Sequence, residues 1–127
     1  MDWNFSDDRP IYAQIVEQVK LFVLSGHWKP GERLPSVRDL AAEAGVNPNT
    51  MQKALTELER QEILYSQRTS GRFITEDKAM IQDVKNDFAF RQMEEFLSGM
   101  ARIGYDKEQV LALLAGYDWK EEGEEKK

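Results

Sequence analysis

A chain of 127 residues with 41% apolar side chains is long enough for one small domain with an appendage, and for a compact core. It has no cysteine, which excludes a disulfide framework and a thiolate metal site, and its start, "MDWNFSDD", has no basic segment leading into an apolar run, so neither export nor membrane insertion is expected. The net charge of −6 is unevenly spread: residues 1–75 hold nine Lys/Arg against ten Asp/Glu, residues 76–127 eight against thirteen, so a near-neutral first part can still meet a polyanion through one basic face.

In chain order, Trp3 and Phe5 suit an extended arm packed on a core. After Pro10, the residues Ile11, Ile15, Val19 and Phe22 recur at helical spacing, and Gly26 ends that first helix. "HWKPGERLP" reads as a loop, because its prolines and glycine block helix continuation. "SVRDLAAEAG" opens with Ser36 and Asp39 in a capping-box pattern and closes at Gly45. Asn47 is then an N-cap and Pro48 a first helical residue, which predicts a third helix to about Gln61. Its apolar side carries Met51, Ala54, Leu55 and Leu58; the opposite side carries Asn49, Lys53, Thr56 and Arg60, with Glu57 and Glu59 at the flanks. "ILYSQ" and "RFIT", joined by "RTSG", form a hairpin pattern with Gly71 supplying the unusual turn dihedral and Arg68 and Arg72 beside the tip.

Three helices followed by a hairpin is the layout of a winged helix-turn-helix, whose third helix enters the DNA major groove. The residue types fit that task. Asn and Gln pair with adenine edges, Lys reaches guanine or phosphate, and Thr meets phosphate or a thymine methyl. Free amides at the two helix starts also suit phosphate, and Arg38 is a cation on the backbone-facing side.

The run "PGERLPSVRDLAAEAGVNPNTMQKALTELERQEIL" resembles the DNA-binding head of the GntR family of bacterial transcription regulators, over about residues 10–74. The resemblance implies that Ser36 and Arg38 are phosphate- and base-contacting residues of helix two. It likewise implies that Asn47, Asn49, Thr50, Gln52 and Lys53 form the start of the recognition helix, and that Gly71 is the wing-tip glycine. One departure stands out: the family's wing carries two glycines around a basic residue, whereas Thr69 and Ser70 replace the first glycine and that cation here, and Arg68 and Arg72 are the candidates to take its place.

The segment C-terminal to the hairpin is too short for the effector domain of the larger relatives and resembles the YtrA-type branch, in which two C-terminal helices dimerise. The pattern agrees. Ile81, Val84, Phe88, Met93, Leu97 and Met100 fall at helical spacing, Gly104 ends that helix, and Asp106 with Gln109 caps another that carries Leu111 and Leu114. Two helices with this much apolar surface call for a partner chain.

The expected fold is mostly α with a small β-hairpin. Residues 1–75 form a winged helix-turn-helix domain, 76–118 a helical dimerisation region, and 119–127 an acidic, disordered tail. The expected function is cytoplasmic regulation of transcription, as a homodimeric repressor on a palindromic duplex-DNA operator of a transporter operon; any effector is unknown. A winged-helix module that binds another protein is the alternative. With His27 as the only histidine, in a loop, no nucleophile–base pairing or metal site is visible, so no enzyme, metal or cofactor is expected.

Overall fold

The computed structural model describes residues 2–120; most of the acidic tail lies outside them. The elements are α1 (Ile11–Leu24), α2 (Val37–Ala44), α3 (Pro48–Arg60), β1 (Leu64–Gln67), β2 (Gly71–Ile74), α4 (Lys78–Arg102) and α5 (Lys107–Ala115). No helix among the described residues is long and apolar enough to cross a membrane. The chain divides into two compact units, one up to Lys85 and one from Asn86 onward.

In the first unit, α3 packs against α1, α2 and β1. Its four apolar residues Met51, Ala54, Leu55 and Leu58 are all buried, joined by Ile15, Val19 and Val23 of α1, Leu40 of α2, and Leu64 and Ile74 of the hairpin. Burying side chains such as Leu55 and Leu58 contributes about 1.5–3 kcal/mol each relative to exposure, and Leu58→Ala would cost about 2–5 kcal/mol. The helix boundaries fall at the sequence punctuation. The Ser36 hydroxyl accepts from the Asp39 amide at 3.1 Å, and Gly45 closes α2 in the left-handed region at φ 72°. The Asn47 carboxamide oxygen accepts from the Asn49 amide at 2.7 Å ahead of Pro48.

Three features depart from the pattern of the sequence. On α1 the buried positions are Gln14, Ile15, Val19 and Val23, while Ile11 is 37% exposed and Phe22 only half-buried. Gln14 is buried because its carboxamide accepts from the Ser6 amide (2.8 Å) and donates to the Ser6 and Arg9 carbonyls (2.9 and 2.8 Å). Gln18 repeats the exchange with Asn4, and together the two side chains lay the N-terminal arm along α1, with Trp3 edge-on to Phe22 at 5.2 Å.

Residues 27–35, expected as a plain loop, also contribute structure. Trp28 is 5% exposed in the core, and Arg33 bridges Phe73 of β2 in antiparallel fashion, with Leu34 N–H donating to the Arg72 carbonyl (2.8 Å) and Ile74 N–H to the Glu32 carbonyl (2.9 Å). The hairpin therefore carries one antiparallel bridge to this linker on its β2 edge.

Finally, the first turns of α4 belong to the first unit. Met80 and Ile81 pack on its core, and Val84 lines a small recess with Lys20, Val23, Leu24 and Ile63. Ile81 and Val84, expected at a dimer face, are both half-buried on the side of the head.

In the second unit the Asp106/Gln109 capping box forms in both directions at 2.9 Å, and Val110 is buried. Phe90, Met93, Phe96, Leu111, Leu113, Leu114, Tyr117 and Trp119 remain exposed.

Candidate nucleic-acid interface

The polar side of α3 is a solvent face, and its composition comes from the same periodicity that buries the opposite side. Asn49, Gln52, Lys53, Thr56 and Arg60 are exposed and Thr50 is half-buried. Thr50, Gln52, Lys53, Thr56, Glu57 and Arg60 line an open groove of about 700 Å³ together with Tyr12 of α1. Tyr12, 39% exposed, carries no signal in the sequence because it lies one position outside the apolar stripe of α1.

The electrostatics of this face are partly settled within the helix. Arg60 holds Glu57 through its Nε at 2.8 Å, and Gln61 donates to the same carboxylate at 2.7 Å. Hydrogen bonding from Arg60 and then Gln61 lowers the Glu57 carboxyl from the usual 4.5 to about 2, against a small opposing effect of burial, and the charges of Arg60 and Lys20 assist. Glu57 therefore stays ionised and offsets the guanidinium, which leaves Lys53 as the uncompensated cation of the groove.

Amide donors are present at both helix starts. Pro48 has none and the Asn49 N–H is taken by its cap, so the first turn of α3 offers Thr50; at α2, where Ser36 takes the Asp39 N–H, Val37 and Arg38 remain. Ser36 and Arg38 are exposed there, and the positive end of each helix dipole favours a phosphate oxygen.

At the wing, Ser70 N–H closes the turn on the Gln67 carbonyl at 3.1 Å, Arg68 is exposed, and Gly71 has φ 101°, a value side-chain-bearing residues rarely adopt. Arg72 behaves differently from Arg68. Its Nε donates to Glu59 of α3 at 2.6 Å, Ser66 of β1 donates to the other oxygen at 2.7 Å, and the Arg72 side chain is only 17% exposed. Burial alone would raise the Glu59 carboxyl, but these bonds and the charge of Arg72 outweigh it and the net shift is downward. Both strands of the wing are thereby fastened to α3.

A buried three-helix core, a polar and cationic third helix and a braced hairpin define a winged helix-turn-helix, a DNA-binding head. The family model of bacterial regulatory proteins of the gntR family matches residues 11–74. The chain is 38% identical over 102 residues to the HTH-type transcriptional repressor YtrA of Bacillus subtilis, covering 80% of this chain and 78% of that one. A solved GntR family transcriptional regulator from Listeria monocytogenes superposes with a TM-score of 0.83 at 40% identity, over 90% of this chain and 100% of that one. The DNA-binding domain of AraR, solved in complex with its operator ORX1, matches 59% of this chain and 96% of its own at 28% identity and a TM-score of 0.54. The chain belongs to the GntR family and is a DNA-binding transcription regulator.

Proposed function

We propose that the protein is a homodimeric repressor that binds a palindromic operator in the cytoplasm, with α3 in the major groove and the α2 start and wing on the backbone. The observation that carries the reading is the face of α3, where Lys53, Gln52, Asn49 and Thr56 stand exposed over a fully buried apolar side. Arg38 and Ser36 serve phosphates beside it, Asn47 supplies the cap and a second amide donor, and Arg68 serves the wing. Arg72 acts as a brace for that wing through Glu59.

Support for the dimer comes from apolar surface left open in the second unit. Phe90, Met93 and Phe96 of α4 and Leu111 and Leu114 of α5 are 45–56% exposed, and Phe88, Leu97 and Met100 are half-buried beside them. A second copy covers such a patch symmetrically, and two heads on one frame read two half-sites about one helical turn, or a multiple of it, apart. The target operon includes transporter genes by resemblance to the YtrA-type branch.

The test is selection of bound sequences from a random duplex pool by the full chain, followed by titration at two salt concentrations. A palindromic consensus whose affinity falls steeply with salt is expected. Recovery of no consensus, with salt-insensitive binding, overturns the reading in favour of a protein-binding module. Met93→Asp with Leu114→Asp should sediment as a monomer and bind single half-sites weakly; a wild-type chain that is monomeric at micromolar concentration sinks the dimer.

A further inference from the structure

We infer that Arg33, in the strand-like linker between α1 and α2, supplies a DNA-contacting cation of the wing. The inference rests on the DNA-binding function proposed for α3 and adds a residue to it.

The geometry begins with the backbone. Arg33 sits opposite Phe73, and the flanking bonds, Leu34 N–H to the Arg72 carbonyl and Ile74 N–H to the Glu32 carbonyl, make this a non-hydrogen-bonded antiparallel pair, in which side chains approach most closely. Arg33 therefore shares a sheet face with Phe73 and, two residues back along β2, with Gly71. Tyr65, paired with Phe73 and stacked on it at 5.6 Å, occupies the same face. The opposite face carries Arg72, turned toward Glu59. The two arginines thus leave the sheet in opposite directions.

The Arg33 side chain runs along β2 toward the hairpin turn. A Cβ built on Gly71 would stand 3.3 Å from its Nε and 3.5 Å from its Nη2, so the guanidinium lies on the bare backbone of that glycine. Gly71 lacks a side chain because of its φ of 101°, and a Cβ there would also press the guanidinium aside by a few tenths of an ångström. Among the described residues the guanidinium of Arg33 has no hydrogen bond or ion pair, and the residue is exposed. Arg72 is held by Glu59, and Thr69 and Ser70 at the tip are neutral. An unpaired, planar, five-donor group placed at the base of the wing is suited to phosphate oxygens or to the acceptor-lined floor of a minor groove. It adds a second cation to that of exposed Arg68 beside a tip whose Thr69 and Ser70 are neutral.

The experiment compares the wild-type full chain, Arg33→Gln and Arg33→Lys on operator and unrelated duplexes over a range of salt. Arg33→Gln should bind the operator about tenfold more weakly, the scale of one lost charge-assisted hydrogen bond, with the salt slope shallower by about one unit. Arg33→Lys should keep the slope. Ethylation interference reads the contact directly: one block of phosphates per half-site should drop out of the Arg33→Gln pattern and remain in that of the lysine variant. An unchanged slope and an unchanged phosphate pattern in Arg33→Gln overturn the inference. If the wild-type chain itself binds no duplex, the DNA-binding reading has failed; if it binds and Arg33→Gln matches it, only the role of Arg33 has.

Discussion

Asn47 joins fold stability to recognition, and one pair of substitutions separates the two. Its carboxamide oxygen accepts from the Asn49 amide at 2.7 Å, which satisfies a donor that Pro48 and the helix geometry otherwise leave open. The same side chain keeps its NH₂ group as an outward donor at the start of the recognition helix. Asn47→Ala removes both. Losing an N-cap of this kind costs about 1 kcal/mol, within a range of about 0.5–2, and in a unit of this size that lowers the melting temperature by about 4–8 °C per kcal/mol. Asn47→Ser restores the cap, because a serine hydroxyl serves that position about as well, but supplies no amide donor at the same reach. Melting followed by circular dichroism should therefore rank wild type and Asn47→Ser together above Asn47→Ala. Operator affinity should remain about three- to tenfold below wild type in both variants, the scale of about one hydrogen bond. An alanine variant that melts with the wild type refutes the cap; full recovery of binding in the serine variant removes Asn47 from the DNA contacts.

Lys53→Ala should weaken operator binding by about 1–3 kcal/mol and erase preference at one position of each half-site, which sequence selection with the variant checks directly. Glu59→Ala strands a largely buried Arg72 and loosens both wing strands, so chemical denaturation should show about 1–2 kcal/mol less stability, with Glu59→Gln intermediate; an unchanged midpoint would show that the brace contributes nothing. Glu57 has a folded-state pKa of about 2, below the usual 4.5, so its contribution to stability is complete above pH 4.5 and is lost as pH falls toward 2. Compared with wild type, Glu57→Gln should narrow the gap in melting temperature between pH 5 and pH 2.5, and parallel pH profiles for the two proteins would contradict this.

Much of the head is legible in the sequence because its signals are local. Pro10, Ser36, Gly45, Asn47 and Pro48 each act within one helical turn, and the structure places a boundary at every one. The four-residue apolar side of α3 likewise needs only helical periodicity. The rest depends on partners distant in sequence. Gln14 reads as a polar interruption of the α1 stripe until the arm backbone that it binds is laid beside it, eight residues away. Arg72 reads as a free wing cation until Glu59, thirteen residues earlier, is found 2.6 Å away. Arg33 lies in a stretch marked as loop by Pro30, Gly31 and Pro35, and its pairing with Phe73 spans forty residues of chain that no local pattern encodes. The stripe of α4 is visible throughout its length, but periodicity does not say where one helix changes neighbours, and so spacing alone does not separate Ile81 and Val84, half-buried against the head, from Met93 and Leu97.

The three tryptophans divide the molecule optically. Trp3, whose indole N–H is buried without an acceptor, and Trp28, 5% exposed, both lie in the aromatic cluster around Phe22, whereas Trp119 is 78% exposed. Emission from Trp28 and half-buried Trp3 should be shifted to the blue and should move red when the head opens, while Trp119 should contribute a water-like band that shifts and resists quenching when something covers it. Replacing Trp119 by Phe leaves a pure reporter of head folding, and replacing the other two leaves a reporter of whatever docks near the end of α5, so one spectrometer can follow the two units of this chain separately without any added label.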